Sequence, residues 1–400
     1  MKRLFGFLIC MVVTLHAYSQ DEQKQKTMEI YGFIMMDAGY NFGQIHPDWF
    51  DVVRPTKLAS FENEFGTDGN TYFSVRQTRL GFKNYFQTDL GELRTHFEFE
   101  MFGTGVDAGQ TTIRLRHAYA ELGKWGAGQY WSPFMDIDVF PNTVEYWGPT
   151  GMAFFRNVQV RFMPIQGDSR LTFALERPGA SADQGVYAGR IELADVRPRF
   201  KLPDFSAEYR HGGAFGYVEL AGILRSIEWE DLGTDAFDLS GDALGWGLNL
   251  STNLKLGTTT VFRGSVLYGE GVQNYMNDAP VDVGIKNNPG NTLSPVEGVA
   301  LPVTGISAFI DHNWNEKFST AIGYSMIDID NSDAQAPNAF KKGQYIVGNL
   351  MYYPVKNAMV GAEFQWGDRE NFSDGWSTDI SKIQFSFKYN FSQSFFKSND

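Results

Sequence analysis

The stretch ELRTHFEFEMF, residues 92–102, decides the fold, because its side chains alternate between apolar and polar. Its apolar positions are Leu93, Thr95, Phe97, Phe99 and Met101, and its polar positions are Arg94, His96, Glu98 and Glu100. This period of two predicts a β-strand with one apolar face and one polar face. The apolar face would be buried in a water-soluble sheet but would contact lipid in a membrane-spanning barrel.

The composition favours closely spaced strands over helices, because the 400 residues include 42 glycines and 15% aromatic side chains. The mean hydropathy is negative, which excludes a membrane protein built from apolar helices. The formal net charge of −13 argues against nucleic acid as a partner.

The N-terminus has the composition of a secretory signal. Lys2 and Arg3 precede the apolar run LFGFLICMVVTL, residues 4–15, which is shorter than the ~20 residues that a membrane-spanning helix needs. We therefore predict a cleaved signal peptide at 1–20, a short periplasmic segment at 21–28, a barrel at 29–391 and a C-terminal tail at 392–400. The single cysteine, Cys10, lies in the signal, so no disulfide framework is expected.

The rest of the chain repeats short segments of alternating polarity, each ended by a turn. The predicted strands are 29–42, 72–88, 91–102, 112–123, 124–131, 153–164, 168–177, 204–212, 214–229, 243–256, 258–272, 303–314, 316–329, 342–353, 357–368 and 379–391. Long and short connections alternate strictly, which is typical of outer-membrane barrels with short periplasmic turns and long external loops, and is not expected of a soluble sandwich. The predicted fold is all-β, a transmembrane up-and-down antiparallel β-barrel of about 16 strands.

In such a barrel the apolar face of each strand contacts lipid and the polar face lines a water-filled lumen. By this parity, Leu115 and Tyr119 are expected to face lipid, and Arg114 and Arg116 to face the lumen. We also expect His117 on the lipid side or at the membrane interface.

Residues 86–149, FQTDLGELRTHFEFEMFGTGVDAGQTTIRLRHAYAELGKWGAGQYWSPFMDIDVFPNTVEYWGP, resemble the DcaP-like family of outer-membrane porins. The similarity continues through FFRNVQVRF and covers most of the mature chain. It implies a trimeric, sixteen-stranded barrel that admits small organic anions, including dicarboxylates, through an arginine-lined constriction. The chain departs from the family in two places: only DEQKQKTM precedes the first strand, where some relatives have a longer helical extension, and SQSFFKSND follows Phe391, where an aromatic barrel ending is expected.

Several cations of the first half have the lumen parity and are the candidate constriction residues. They are Arg79, Lys83, Arg94, Arg114, Arg116, Arg161 and Arg170. Guanidinium groups in a narrow pore lower the barrier for a carboxylate, because they stay charged and bind it with a planar fork. The alternative is that these cations neutralise Glu98, Glu100, Glu176, Glu208 and Glu219 and only stiffen the wall. Arg76 and Arg156 have the outward parity near strand ends, so we interpret them as rim residues.

The connection at 132–152, SPFMDIDVFPNTVEYWGPTGM, is unusually apolar for an external loop. Its composition predicts that it folds into the lumen or packs against a neighbouring protomer. In the first case, Asp136 and Asp138 would oppose the arginines and create a transverse field. Their alternative role is calcium binding or a surface position, but the loop lacks the spacing and the glycine of an EF-hand. We expect no metal and no cofactor.

No motif predicts catalysis, because no histidine pairs with a serine in a recognised motif and G-x-S-x-G is absent from the sequence. The sequence therefore predicts a porin of the bacterial outer membrane for passive diffusion of small hydrophilic, preferentially anionic solutes. Its expected partners are outer-membrane lipid, those solutes and, from the family resemblance, two further copies of the chain in a homotrimer. The competing hypothesis is a structural or adhesive barrel with a plugged lumen.

Overall fold

The computed structural model describes residues 26–396, so the predicted signal peptide lies outside the described residues. The wall is one closed antiparallel sheet of eighteen hydrogen-bonded segments. These segments make sixteen crossings, because one crossing is interrupted at 75–78 and the segment Val196–Pro198 lies in a loop. The predicted fold class and strand count are confirmed.

The sixteen crossings are numbered here in chain order. They are β1 Lys26–Asn41, β2 Asn70–Ser74 with Arg79–Thr88, β3 Gly91–Phe102, β4 Thr111–Leu122, β5 Trp125–Trp131, β6 Arg156–Ile165, β7 Arg170–Glu176, β8 Asp204–Gly213, β9 Gly216–Asp231, β10 Gly241–Leu256, β11 Thr260–Glu270, β12 Pro302–Asn313, β13 Phe318–Ile329, β14 Phe340–Tyr352, β15 Ala358–Asn371 and β16 Ser377–Phe396. Each overlaps one predicted strand. No helix within residues 26–396 is long and apolar enough to cross a bilayer.

The first and last strands close the barrel. β1 pairs antiparallel with β16 from Lys26 opposite Phe396 to Asn41 opposite Lys382. The pairing extends beyond the predicted ends, since β1 begins at Lys26 and β16 continues to Phe396. Residues 392–396, expected in the tail, are therefore part of the wall.

Side chains alternate across the wall as the parity predicts. In β10, Leu248 and Leu250 are 51% and 50% exposed on the outside, whereas Asn249 and Ser251 are 2% and 1% exposed inside. The exposed surface is thus apolar and the buried interior is polar, which reverses the arrangement of a soluble protein.

A β-bulge in β4 changes the side of the wall on which two residues lie, relative to the prediction from parity. Glu98 lies opposite His117 while the next residue, Phe99, lies opposite Leu115, so β4 contains one extra residue at this point. An extra residue reverses the alternation after it. His117 and Tyr119 are consequently buried on the lumen side, and the expectation that they face lipid is wrong.

The connections differ sharply between the two ends of the barrel. One end has short turns, at 89–90, 123–124, 166–169, 214–215, 257–259, 314–317 and 353–357. The other end has the loops 42–69 (L1), 103–110 (L2), 132–155 (L3), 177–203 (L4), 232–240 (L5), 271–301 (L6), 330–339 (L7) and 372–376 (L8). L6 contains a small hairpin of Val283–Asn287 with Val296–Ala300. In outer-membrane barrels the turns face the periplasm and the loops face the exterior.

The outward face of β10 offers a test of the lipid contact. We expect Leu250→Arg to lower the free energy of unfolding in lipid vesicles by about 2–4 kcal/mol, because it places a charge near the bilayer centre. Urea titration of the refolded protein measures this loss. The control Asn253→Arg adds the same side chain on the lumen side of the same strand and should cost less than about 1 kcal/mol. Equal losses for both variants would contradict the assigned faces.

Candidate functional site: a cationic cavity in the barrel

Loop L3 folds into the lumen and is hydrogen-bonded to the far wall. The Asp136 carboxylate accepts hydrogen bonds from Arg210 of β8 and Ser251 of β10, both at 2.6 Å. The backbone amides of Val144 and Glu145 donate to the carboxylate of Glu363 in β15, both at 2.9 Å. These contacts hold L3 against the strands from β8 to β15.

The two aspartates of L3 do not face the arginines of β2 to β4. Asp136 is buried and also accepts a hydrogen bond from Tyr217 at 2.7 Å. The Asp138 side chain is 49% exposed and pairs with Arg210 at 2.6 Å. Because both carboxylates are bound to Arg210 on the far wall, they anchor L3 instead of forming the expected transverse field with the first-half cations.

A cavity of about 670 Å³ remains between L3 and the near wall; it is called the cationic cavity here. Six cations line it: Arg54, Arg79, Arg114, Arg116, Arg156 and Lys388. They come from L1, β2, β4, β6 and β16, so the charge extends across neighbouring strands on one side of the barrel. Among its lining residues, Glu145 of L3 is the one acid.

Four of the six cations have carboxylate partners. Arg79 lies 3.1 Å from Glu100, and Arg116 lies 2.6 Å from Glu98 and 2.7 Å from Glu100. Arg114 also pairs with Glu100. Both glutamates are buried behind the arginines. This arrangement agrees with the alternative prediction that these arginines neutralise glutamates of neighbouring strands and stiffen the wall.

The fourth paired cation belongs to a junction of three loops. Arg54 of L1 lies between the rings of Trp49 and Trp147, 4.1 and 4.0 Å from their centroids, and binds Asp278 of L6 at 2.9 Å. The Asn277 carbonyl accepts a hydrogen bond from the Trp147 indole at 2.9 Å. L1, L3 and L6 therefore form a rigid rim above the cavity.

The other two cations have no carboxylate within salt-bridge distance in the part of the chain that the structure describes. Lys388 lies 4.1 Å from the ring centroid of Phe33, and Arg156 lies 5.3 Å from that of Trp131. The Glu145 carboxyl is bound by the amides of Val53 and Gly148, and burial raises its pKa to about 7. The cationic cavity consequently carries an excess of positive charge.

The remaining predicted site residues lie elsewhere. Lys83 and Arg94 line a second cavity of about 370 Å³ nearer the turn end, where the Arg94 side chain is 58% exposed and pairs with Glu92. Arg161 packs on Tyr130, and Arg170 is held by Glu208 and Glu219 at 3.1 and 2.9 Å. The structure thus brings together three of the seven predicted cations, Arg79, Arg114 and Arg116.

Sequence reasoning missed Arg54, Arg156 and Lys388. Arg54 is in a loop, where strand parity gives no information. Lys388 has the inward parity, but it lies in the last strand, whereas the predicted constriction cations all lie in the first half of the chain. Arg156 is the first residue of β6, where the chain leaves L3. Its side chain packs against Trp131 and lines the cavity instead of pointing outward. Arg76, also expected at the rim, is buried and pairs with Asp51.

A closed sixteen-stranded barrel with an inward-folded loop defines the porin class of outer-membrane channels, and solved structures with this fold are similar to the chain. The outer membrane channel DcaP of Acinetobacter baumannii has a TM-score of 0.74 at 20% identity, over 91% of this chain and 97% of that one. The trimer form of OmpT from Vibrio cholerae has a TM-score of 0.55 at 13% identity, over 92% and 100%.

The family follows from the sequence itself. The sequence model of the DcaP outer membrane protein family matches residues 14–391, so the chain belongs to that family. A comparison with curated protein sequences found no significant match. The protein is therefore a β-barrel protein of the bacterial outer membrane, and its structural neighbours include channels and porins.

The anchor of L3 can be tested by removing the Asp136 carboxylate. We expect Asp136→Ala to remove the acceptor of three hydrogen bonds, from Arg210, Tyr217 and Ser251. The loss should lower the free energy of unfolding by about 2–3 kcal/mol. L3 should then move away from the far wall, so single-channel recordings should show a changed conductance and more current noise. Asp138→Ala, which removes a half-exposed partner of the same arginine, should have a much smaller effect. Wild-type conductance and noise in Asp136→Ala would exclude the anchoring role.

Proposed function

We propose that this channel mediates passive diffusion of small hydrophilic solutes with a preference for organic anions, including dicarboxylates. The observation that carries the proposal is the excess positive charge of the cationic cavity, at the level where L3 narrows the lumen. A narrow pore with low-dielectric walls strengthens the field of such charges and raises the local concentration of anions.

The path of a solute follows the cavities. The cationic cavity lies beneath the rim of L1 and L6, and a third cavity of about 640 Å³ lies nearer the turns, where Arg210 and Lys255 line it. Ile137 and Phe140 of L3 line both cavities. A solute would therefore leave the cationic cavity past these two side chains and continue toward the periplasm.

The paired arginines shape the cavity, and the unpaired cations supply most of its net charge. Glu98 and Glu100 set two negative charges against the three positive charges of Arg79, Arg114 and Arg116 at short distance. This cluster therefore keeps one net positive charge, and most of its field decreases steeply away from the wall. Arg156 and Lys388 have no such compensation among residues 26–396. A relative with this fold, the anion-selective porin from Comamonas acidovorans, has a TM-score of 0.58 at 10% identity, over 92% of this chain and 100% of that one.

A homotrimer is part of the same proposal. It is supported by the family membership and by the trimer form of OmpT, which has a similar barrel. We expect the refolded protein to have three times the mass of the chain by light scattering in detergent, after correction for bound detergent. Conductance steps in groups of three would agree with this state. A monomeric mass in several mild detergents would contradict it.

The anion preference is tested by removing one unpaired cation. We expect the wild-type reversal potential in a KCl gradient to show a preference for chloride, and Lys388→Gln to shift it measurably toward cations, because the variant removes an uncompensated charge from the cavity. The control Lys255→Gln makes the same change in the third cavity, nearer the turns, and should shift the reversal potential less.

Three outcomes would count against parts of the proposal. A cation preference in the wild-type protein would exclude the anion pathway but retain the channel. Equal shifts in Lys388→Gln and Lys255→Gln would assign selectivity to overall lumen charge instead of the cationic cavity. A bilayer that stays closed with pure, folded protein would support the structural or adhesive barrel with a plugged lumen.

A further inference from the structure

Arg156 differs from the other arginines of the cationic cavity. Arg54, Arg79, Arg114 and Arg116 each form an ion pair with at least one buried carboxylate. Arg156 forms none within the described range 26–396, and its Nη1 atom is buried without a hydrogen-bond partner. The cavity therefore contains one guanidinium group that forms no side-chain hydrogen bond and no ion pair with residues 26–396.

Aromatic packing holds this guanidinium in place. Trp131 is directly opposite Arg156 in the pairing of β5 with β6, and the guanidinium carbon lies 5.3 Å from the indole centroid. The ring centroid of Phe154, a residue of L3, lies 5.7 Å from the same guanidinium carbon. Cation–π contacts of this kind restrain a guanidinium but do not occupy its hydrogen-bond donors.

The same indole also positions Arg116, whose guanidinium carbon lies 5.3 Å from the Trp131 centroid. Two guanidinium groups thus share one aromatic ring, although only Arg116 is neutralised, by Glu98 and Glu100. An ionised side chain that is partly removed from water without a counter-ion is unfavourable. A carboxylate in the cavity would reduce this cost by accepting two parallel hydrogen bonds from the fork.

We propose that Arg156 is the residue that binds the carboxylate group of a solute during its passage. This inference rests on the proposed function, and it adds a discrete binding step to a general electrostatic preference. Lys388 attracts anions as a point charge, whereas Arg156 recognises the planar carboxylate. Chloride, which is spherical, gains less from a fork than a carboxylate does.

Succinate is a suitable probe, and succinamide is its uncharged analogue of similar size. In planar bilayers with KCl, we expect succinate to reduce the chloride current of the wild-type channel in a saturable manner, and succinamide to have little effect. Arg156→Gln should raise the succinate concentration for half-maximal reduction about tenfold or more, as expected for the loss of a charge-assisted bidentate contact. Arg156→Lys should retain the reversal potential but still weaken the succinate effect.

Arg94→Gln is the matched control, because it removes the same charge from an exposed position outside the cationic cavity. It should leave the succinate concentration within about twofold of wild type. Equal effects of Arg156→Gln and Arg94→Gln, equal block by succinamide, or no succinate effect on the wild type would overturn the inference. If the wild-type channel prefers anions in each of these cases, the proposed function survives. A cation preference in the wild type would overturn both.

Discussion

The pairing of β1 with β16 is the constraint on which the rest of the structure depends. In a bilayer an open sheet edge would leave backbone groups without partners, at a cost of several kcal/mol for each. The pairing of β1 with β16 from Lys26 to Asn41, which has one register shift between Lys26 and Met28, removes that edge. Closure also fixes which face of every strand meets lipid and which meets the lumen. The side of the wall on which a charged side chain of a regular strand lies follows from this single condition.

Closure creates a second requirement, because the polar side chains crowded into the lumen must form hydrogen bonds and ion pairs with one another. Glu98 and Glu100 do this for the arginines of β2 and β4, while Arg210 does it for Asp136 of L3. The two arrangements lie on different parts of the wall, the first at β2 to β4 and the second at β8. L3 is consequently bound to β8 and β10 through Asp136, while its Tyr146 reaches Arg114 and Glu100 on the wall that the cations line.

The sequence was sufficient for the fold and insufficient for half of the site, and the reason is local in each case. Regular alternation placed Arg79, Arg114 and Arg116 correctly on the lumen side. It failed after the bulge at Arg116, because one extra residue reverses the parity and brings His117 inward. At the start of β6 it also failed for Arg156, because parity describes regular strands and not the residue where a loop joins one. The partners of loop residues depend on contacts that are distant in sequence, which no periodicity reports.

A rigid wall of paired arginines and the proposed anion-selective surface are therefore compatible with each other. A buried glutamate pair that holds three arginines makes a rigid wall, but it also cancels most of their field. The proposed anion selectivity then depends on cations that the wall does not neutralise. The chain's net charge of −13 does not oppose this conclusion, because many acids lie away from the cavity, such as the exposed Asp235 and Asp238 of L5. What a permeating anion meets at close range is set by the few charges near the narrowest level, since water and salt screen the distant ones.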